Sequence, residues 1–177
     1  MKFLPTTKEE MKNLGWDSID VLLISGDTYL DTSYNGSALV GKWLVEHGFK
    51  VGIIAQPEVD VPDDITRLGE PNLFFAISGG CVDSMVANYT ATKKRRQQDD
   101  FTPGGENNKR PDRAVLVYSN MVRRFFKGTT KKIVISGIES SLRRITHYDY
   151  WTNKLRKPIL FDAKADILSY GMGEMSM

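Results

Sequence analysis

Three apolar runs in this sequence end in the same pair of small residues. They are Leu22-Leu23-Ile24-Ser25-Gly26-Asp27, Phe75-Ala76-Ile77-Ser78-Gly79-Gly80 and Val134-Ile135-Ser136-Gly137-Ile138-Glu139. Glycine permits a sharp turn and close approach of a ligand, and serine can bond backbone groups freed at a strand end. The N–H groups of a following helix start favour an anion. If the runs are parallel strands, all three deliver their carboxyl ends to one edge, where open α/β sheets bind ligands. Ser25, Gly26, Asp27, Ser78, Gly79, Gly80, Ser136, Gly137 and Glu139 are therefore the candidate ligand-binding set. Any tight strand-to-helix turn prefers the same residues, so the pattern predicts a crevice and leaves its ligand open. None of the three matches G-x-G-x-x-G or G-x-x-x-x-G-K-[ST], which removes support for a dinucleotide or P-loop site.

His147 joins the candidates from Arg143-Arg144-Ile145-Thr146-His147-Tyr148-Asp149-Tyr150-Trp151, a charged and aromatic cluster. Its imidazole could exchange protons, coordinate a cofactor metal or stack beside Tyr148. The default for a lone histidine is a satisfied structural residue. His47, in the last turn of a helix, needs only the helix-terminus explanation. Cys81 follows two glycines near a helix start, where a thiol pKa can fall; the plain reading is a small packing residue. Lys93-Lys94-Arg95-Arg96, with Asp99 and Asp100 close behind, reads as a solvated loop before a phosphate clamp.

Short apolar runs alternating with helical patterns position these residues in an α/β fold. Thr7 and Glu10 have capping-box spacing at the start of a short helix that Gly15 stops. Strands are expected over 19–24, 50–55, 72–77 and 133–135. Helices are expected over 37–46, 82–89, 112–126 and 139–148, with Pro111 in the first turn of the third. Runs at 158–161 and 165–170 complete the pattern. Strand, helix, strand in this order makes right-handed βαβ units. The expected architecture is a Rossmann-like or flavodoxin-like open sheet, mainly parallel, with helices on both faces. Residues 90–112 are too long and polar for a simple connection, so this loop is either functional or mobile. Thr102-Pro103-Gly104-Gly105 within it is a turn signature.

A chain of 177 residues can bury a substantial core as a single domain. No run approaches the length of a membrane span, and the first residues lack a signal-peptide apolar core, which predicts a cytoplasmic protein. One cysteine excludes an internal disulfide and any multi-cysteine metal or iron–sulfur site within the chain. The net charge of +2 is unevenly spread. Residues 1–90 carry 6 Lys/Arg against 13 Asp/Glu, net −7, and residues 91–177 carry 18 against 9, net +9. A basic half could hold RNA or a phosphorylated small molecule, or its cations could be scattered on solvated faces or meet the acidic half.

Longer strings carry a resemblance. Phe3-Leu4-Pro5-Thr6-Thr7-Lys8-Glu9-Glu10-Met11, Val51-Gly52-Ile53-Ile54-Ala55-Gln56-Pro57, Asp83-Ser84-Met85-Val86, Phe101-Thr102-Pro103-Gly104-Gly105 and Arg110-Pro111-Asp112-Arg113-Ala114 resemble the start of the YgiQ-type radical SAM proteins. So do Gly137-Ile138-Glu139-Ser140-Ser141-Leu142-Arg143-Arg144, His147-Tyr148-Asp149-Tyr150-Trp151 and Tyr170-Gly171-Met172-Gly173-Glu174. The resemblance covers essentially the whole chain. It implies an N-terminal accessory domain over residues 1–177, similar to cobalamin-binding domains, followed by a radical SAM barrel in cis. In that family a Cys-x3-Cys-x2-Cys motif of the barrel holds a [4Fe–4S] cluster that cleaves S-adenosylmethionine. The lone Cys81 does not supply that motif, so the chain is expected to be a truncated, non-catalytic part of such an enzyme. Cobalamin enters as a candidate by fold analogy alone. The turn Asp27-Thr28-Tyr29-Leu30-Asp31 lacks the histidine that serves as lower ligand in cobalamin domains, which argues against binding through such a ligand. A stand-alone small-ligand module and an RNA-binding adaptor are the alternative readings.

Overall fold

The computed structural model describes residues 3–29 and 36–171. Leu30 to Asn35 of the expected polar loop after the first strand, and Met172 to Met177, lie outside the described residues. In chain order the elements are α1 (Lys8–Asn13), β1 (Val21–Ser25), α2 (Gly36–Glu46), β2 (Val51–Ala55), α3 (Pro62–Thr66), β3 (Phe74–Ser78) and α4 (Ser84–Asn88). A 3-10 turn (Pro103–Gly105) interrupts the long loop. Then come α5 (Ala114–Phe125), β4 (Lys132–Ser136), α6 (Gly137–Leu142), β5 (His147–Asp149), β6 (Lys154–Arg156), α7 (Ile159–Asp162) and β7 (Ile167–Leu168).

Five strands form one sheet in the order β2-β1-β3-β4-β7, every neighbouring pair parallel. The chain moves outward from β1 to β2, then returns to the other side of β1 with β3. That reversal is the switch point of a flavodoxin-like sheet. The expected mainly parallel α/β architecture is the one observed.

Alternation along β1 builds a core on both faces. Leu22 and Ile24 join Phe75, Ile77, Ile133 and Ile135 on the face covered by α1, α3, α5 and α7. Val21 and Leu23 join Val51, Ile53, Leu44 and Leu4 on the face covered by α2. Period-two side chains on a sheet buried from both sides explain the near-continuous apolar runs. Fully burying one such aliphatic or aromatic side chain stabilises by about 1.5–3 kcal/mol. In α1 the capping box is formed: Thr7 accepts from the Glu10 N–H while the Glu10 carboxylate accepts from Thr7 N–H.

One expectation fails after β4. The helix expected over 139–148 stops at Leu142, and residues 147–149 instead pair antiparallel with 154–156. Thr146, Tyr148, Tyr150 and Trp151 are β-branched or aromatic residues that suit a strand or turn, so an apparent helical period concealed a hairpin. The run at 158–161, left without an assigned element, forms the short helix α7, with Pro158 at its N-cap position. The helix expected from Asp112 begins at Ala114, because Arg113 takes a left-handed conformation with φ of 53°.

Candidate functional site

Register brings the three Ser-Gly pairs side by side. Ser25 lies opposite Ser78, and Ser78 opposite Ser136, at the carboxyl edge of three adjacent strands. The serines act locally: Ser25 Oγ accepts from the Asp27 N–H at 3.1 Å, and Ser78 Oγ from the Gly80 N–H at 3.2 Å. The glycines admit the protein itself. A Cβ on Gly26 would lie 2.1 Å from the Gly79 carbonyl oxygen, and one on Gly80 would lie 2.1 Å from Asp27 Oδ1. The crevice expected here is occupied by the chain's own polar side chains.

The side chain that fills it is Arg110, which the sequence reasoning missed. Its guanidinium is fully buried, with Nη2 2.8 Å from Asp27 Oδ1 in an ion pair without an aligned hydrogen bond. It also reaches Asp99 at 3.4 Å and donates from Nη1 to the Gly79 carbonyl at 3.1 Å. Asp27 Oδ2 accepts from the Cys81 N–H at 2.6 Å. Gln56 extends the network, donating to the Gly26 carbonyl at 3.0 Å and to Thr102 Oγ1 at 2.7 Å. A buried charge needs a partner and saturated hydrogen bonds, and here the strand-end carboxylate and the loop arginine supply each other. The loop over 90–112 is thereby tied to the sheet edge. Asn88 binds it a second time, donating to the Arg110 carbonyl and to Asp112. A buried acid at a strand end was the signal that a cation had to come from somewhere in that polar loop.

Glu139 is fully buried and ties two helix starts together. Its Oε2 accepts from the Ser84 N–H and its Oε1 from the Val115 N–H, each at 3.1 Å. These are orphan donors in the first turns of α4 and α5, where a carboxyl group is favoured. Burial nevertheless pushes the Glu139 carboxyl above its ordinary range, with the Ser84 hydrogen bond opposing and the neighbouring Asp83 adding to the rise. Asp83 caps α4 through the Met85 N–H at 2.9 Å and pairs with Arg143.

Glu139 and His147 both line one small, partly open cleft, together with Arg113, Arg143, Arg156 and Asp162. Leu116 and Ile159 form its apolar wall. Nδ1 of His147 lies 3.2 Å from the Ile145 carbonyl, and Nε2 is closed off from solvent with no partner among the described residues. Of the sequence-derived set, Glu139 and His147 thus line a cleft. Ser25, Gly26, Asp27, Ser78, Gly79, Gly80, Ser136 and Gly137 lie at the strand ends, the turns and the helix start of the sheet edge.

The basic residues are largely engaged within the chain. Arg113 pairs with Asp149, Arg123 and Lys132 with Asp166, Arg156 with Asp162, and Arg95 with Asp112. Lys93, expected in a solvated loop, donates to the Tyr150 carbonyl and sits over the Tyr150 ring. Arg96 donates to the carbonyls of Val86 and Tyr89. The 93–96 run is exposed yet anchored to its own chain.

Residues 3–177 match the family described as Radical SAM N-terminal. The chain belongs to that family. This Radical SAM N-terminal chain is 98% identical over 177 residues to a UPF0313 protein of Fusobacterium nucleatum, covering all of itself and 31% of that protein. It is 59% identical over 175 residues to a UPF0313 protein of Thermotoga neapolitana, with 99% and 30% covered. With a UPF0313 protein of Methanocaldococcus jannaschii the identity is 55% over 175 residues, with 99% and 28% covered. The chain spans about 30% of the curated relatives it matches. No solved structure matches it.

The family name implies a [4Fe–4S] cluster and S-adenosylmethionine, and the donor set of this Radical SAM N-terminal chain does not fit that cluster. Three thiolates are needed to anchor three irons, and Cys81 is the single cysteine. Burial, followed by the Asp27 carboxylate, pushes its thiol up to about 12, the opposite of what a metal-binding thiolate needs. Among the described residues no group of three His, Cys, Asp or Glu side chains is placed to hold a metal. Nor is any helix among them long and apolar enough to cross a membrane.

Proposed function

We propose that this chain is the accessory domain of a larger radical SAM enzyme, non-catalytic alone, and that it docks on the remainder of the same polypeptide. In this reading residues 1–177 form one domain, and the cluster and S-adenosylmethionine belong to a barrel in cis. The observation that carries it is the concentration of exposed apolar side chains on the elements after β4. Among the described residues, nine of the eighteen large apolar side chains left exposed fall within residues 138–170. Leu155 is 77% exposed, Phe161 66%, Tyr170 65% and Ile145 63%. Ile138 and Leu142 share one face of α6, four residues apart, and Ile145 follows just beyond. Gly171 N–H donates to Ser141 Oγ, and Arg144 stacks over the Tyr170 ring, which holds Tyr170 beside that face. Tyr148 and Leu155 are cross-strand partners in the hairpin.

Apolar surface gathered in this way marks an interaction site. Relatives about three times as long supply its occupant, the rest of their own chain. The cobalamin and stand-alone ligand readings gain no support at the Ser-Gly edge, which Arg110 fills. The test is to prepare the full-length Fusobacterium nucleatum relative and this chain anaerobically, side by side. The reading expects about four irons per full-length chain and none on the 177-residue chain. Iron at that level on this chain alone, or none on the full-length protein after reconstitution, would overturn it.

A further inference from the structure

We infer that the tip of the β5–β6 hairpin and the loop after α4 together form a binding surface for single-stranded nucleic acid. The inference stands on the rings and cations of that joint and is independent of the docking reading.

The two segments are far apart in sequence and fastened together in space. Tyr150 Oη donates to the Ala91 carbonyl at 2.9 Å, and Lys93 Nζ donates to the Tyr150 carbonyl at 2.9 Å. The fastening brings three rings into a row of contacts. Tyr89 lies 5.1 Å from Trp151, and Trp151 lies 5.5 Å from Tyr150, centroid to centroid. A cation closes each end of the row, Arg95 at 5.6 Å from the Tyr89 ring centre and Lys93 at 4.5 Å from that of Tyr150. The rings stay accessible: Tyr150 is 48% exposed, and Tyr89 and Trp151 are partly so.

Lys93, Lys94 and Arg96 are exposed beside these rings and keep donors to spare. Arg96 donates from Nε to the carbonyls of Val86 and Tyr89, and among the described residues its Nη groups take no partner. Lys94 is held through its backbone, to Thr90. Lys93 takes the left-handed region with φ of 62°, where glycine would be cheaper, yet the residue there is one whose ammonium reaches Tyr150. Arg95 differs, because Asp112 faces it at 3.6 Å and the Asn107 carbonyl takes one of its N–H groups; it is a positioning residue for Tyr89. Exposed cations beside accessible rings are the two parts of single-strand recognition. Phosphates accept from lysine and arginine, and every base has a face that stacks on an aromatic ring. Internal contacts already hold Lys93, Arg96 and the rings, so binding immobilises few further side chains. A duplex hides its base faces and polyglutamate has none, which leaves each of them charge alone.

The 177-residue chain carries its own two-sided core, so it is titrated directly by fluorescence anisotropy at low salt. The probes are mixed-sequence RNA and DNA single strands of about 12 nucleotides, the matching duplex, and polyglutamate of similar charge. The inference expects a single strand to bind at least about fivefold tighter than the duplex or polyglutamate, the effect of one stacked base. The tighter of RNA and DNA then names the source of the strand. Log affinity for it should fall with log salt at a slope of about −2, as contacts from Lys93, Lys94 and Arg96 require. Lys94→Gln should make that slope shallower by about 0.7. Tyr150→Leu should weaken the single strand by at least about fivefold and leave polyglutamate unchanged, whereas Tyr150→Phe, which keeps the ring, should bind as the parent does. Duplex or polyglutamate bound as tightly as either single strand, parent-like single-strand binding in Tyr150→Leu, a parent-like slope in Lys94→Gln, or no saturable binding of either single strand would each overturn the assignment.

Discussion

Arg110 Nη2 lies 2.8 Å from Asp27 Oδ1, with the arginine side chain fully sealed from water and the aspartate nearly so. One comes from the long loop before α5, the other from the turn after β1. The pair converts what reads as an open ligand crevice into a closed polar joint between sheet and loop.

Removing the cation from this joint should be severe. Arg110→Met leaves Asp27 and Asp99 buried without their partner, which costs about 3–5 kcal/mol in comparable buried pairs. Urea unfolding measures the loss, and limited proteolysis should show cleavage within 90–112 before the rest of the chain. A change below about 1 kcal/mol, the scale of an exposed pair, would contradict the assignment.

Glu139 should make stability depend on pH in a defined direction. Burial raises its folded-state pKa above the ordinary 4.5, so the folded state holds the proton more tightly than the unfolded state. Its favourable contribution is complete below the ordinary value and is lost as pH rises through the raised one. Glu139→Gln should remove that slope in unfolding curves taken from about pH 4 to about pH 8. The same variant should cost about 1–3 kcal/mol at acid pH, because the amide NH₂ confronts the N–H of Ser84 or Val115. A slope identical to the parent's would show that Glu139 is not its source.

The edges of β1, β2, β3 and β4 were legible because each is a compact apolar run bounded by glycine or a polar turn. The Ser-Gly ends correctly announced parallel strands ending together, as the Ser25–Ser78–Ser136 register shows. What occupies that edge was not legible. Arg110 sits in a polar loop more than 30 residues from Gly79 and more than 80 from Asp27, and charge pairing over such separations leaves no local period. The hairpin at 147–156 was missed for a different reason. Its strands are three residues long, too short for alternation to outweigh the helical spacing that precedes them. Glu139 was found as a candidate from its place after a Ser-Gly end, but its role as a bridge between α4 and α5 depends on a tertiary contact.

Cys81 should be sluggish towards alkylation. With its thiol pushed up to about 12, little thiolate is present at neutral pH, and thiolate is the nucleophile. Iodoacetamide labelling of the native chain should run at least about tenfold slower than in urea. Rates that match in the two states would contradict the environment described for Asp27 and Cys81.

Two glycine substitutions contrast a crowded position with an open one. In Gly26→Ala the new Cβ would meet the Gly79 carbonyl oxygen at 2.1 Å, a backbone atom of the neighbouring strand end. Overpacking of this kind costs about 1–3 kcal/mol or more. Gly36→Ala, at the start of α2, meets nothing within 4 Å and should stay within about 0.5 kcal/mol of the parent. Thermal unfolding of the two variants checks the contrast, and equal shifts would remove the claim that the two strand ends touch.

In the docking reading the exposed Leu142, Ile145, Leu155, Phe161 and Tyr170 contact the remainder of the polypeptide. Hydroxyl-radical footprinting tests it directly, by comparing side-chain oxidation in this chain with the same positions in the full-length Fusobacterium nucleatum relative. Docking predicts that these five residues lose most of their reactivity in the full-length protein, while the exposed Phe3 and Trp43, far along the chain from them, keep theirs. Equal oxidation of the five in both proteins would contradict it.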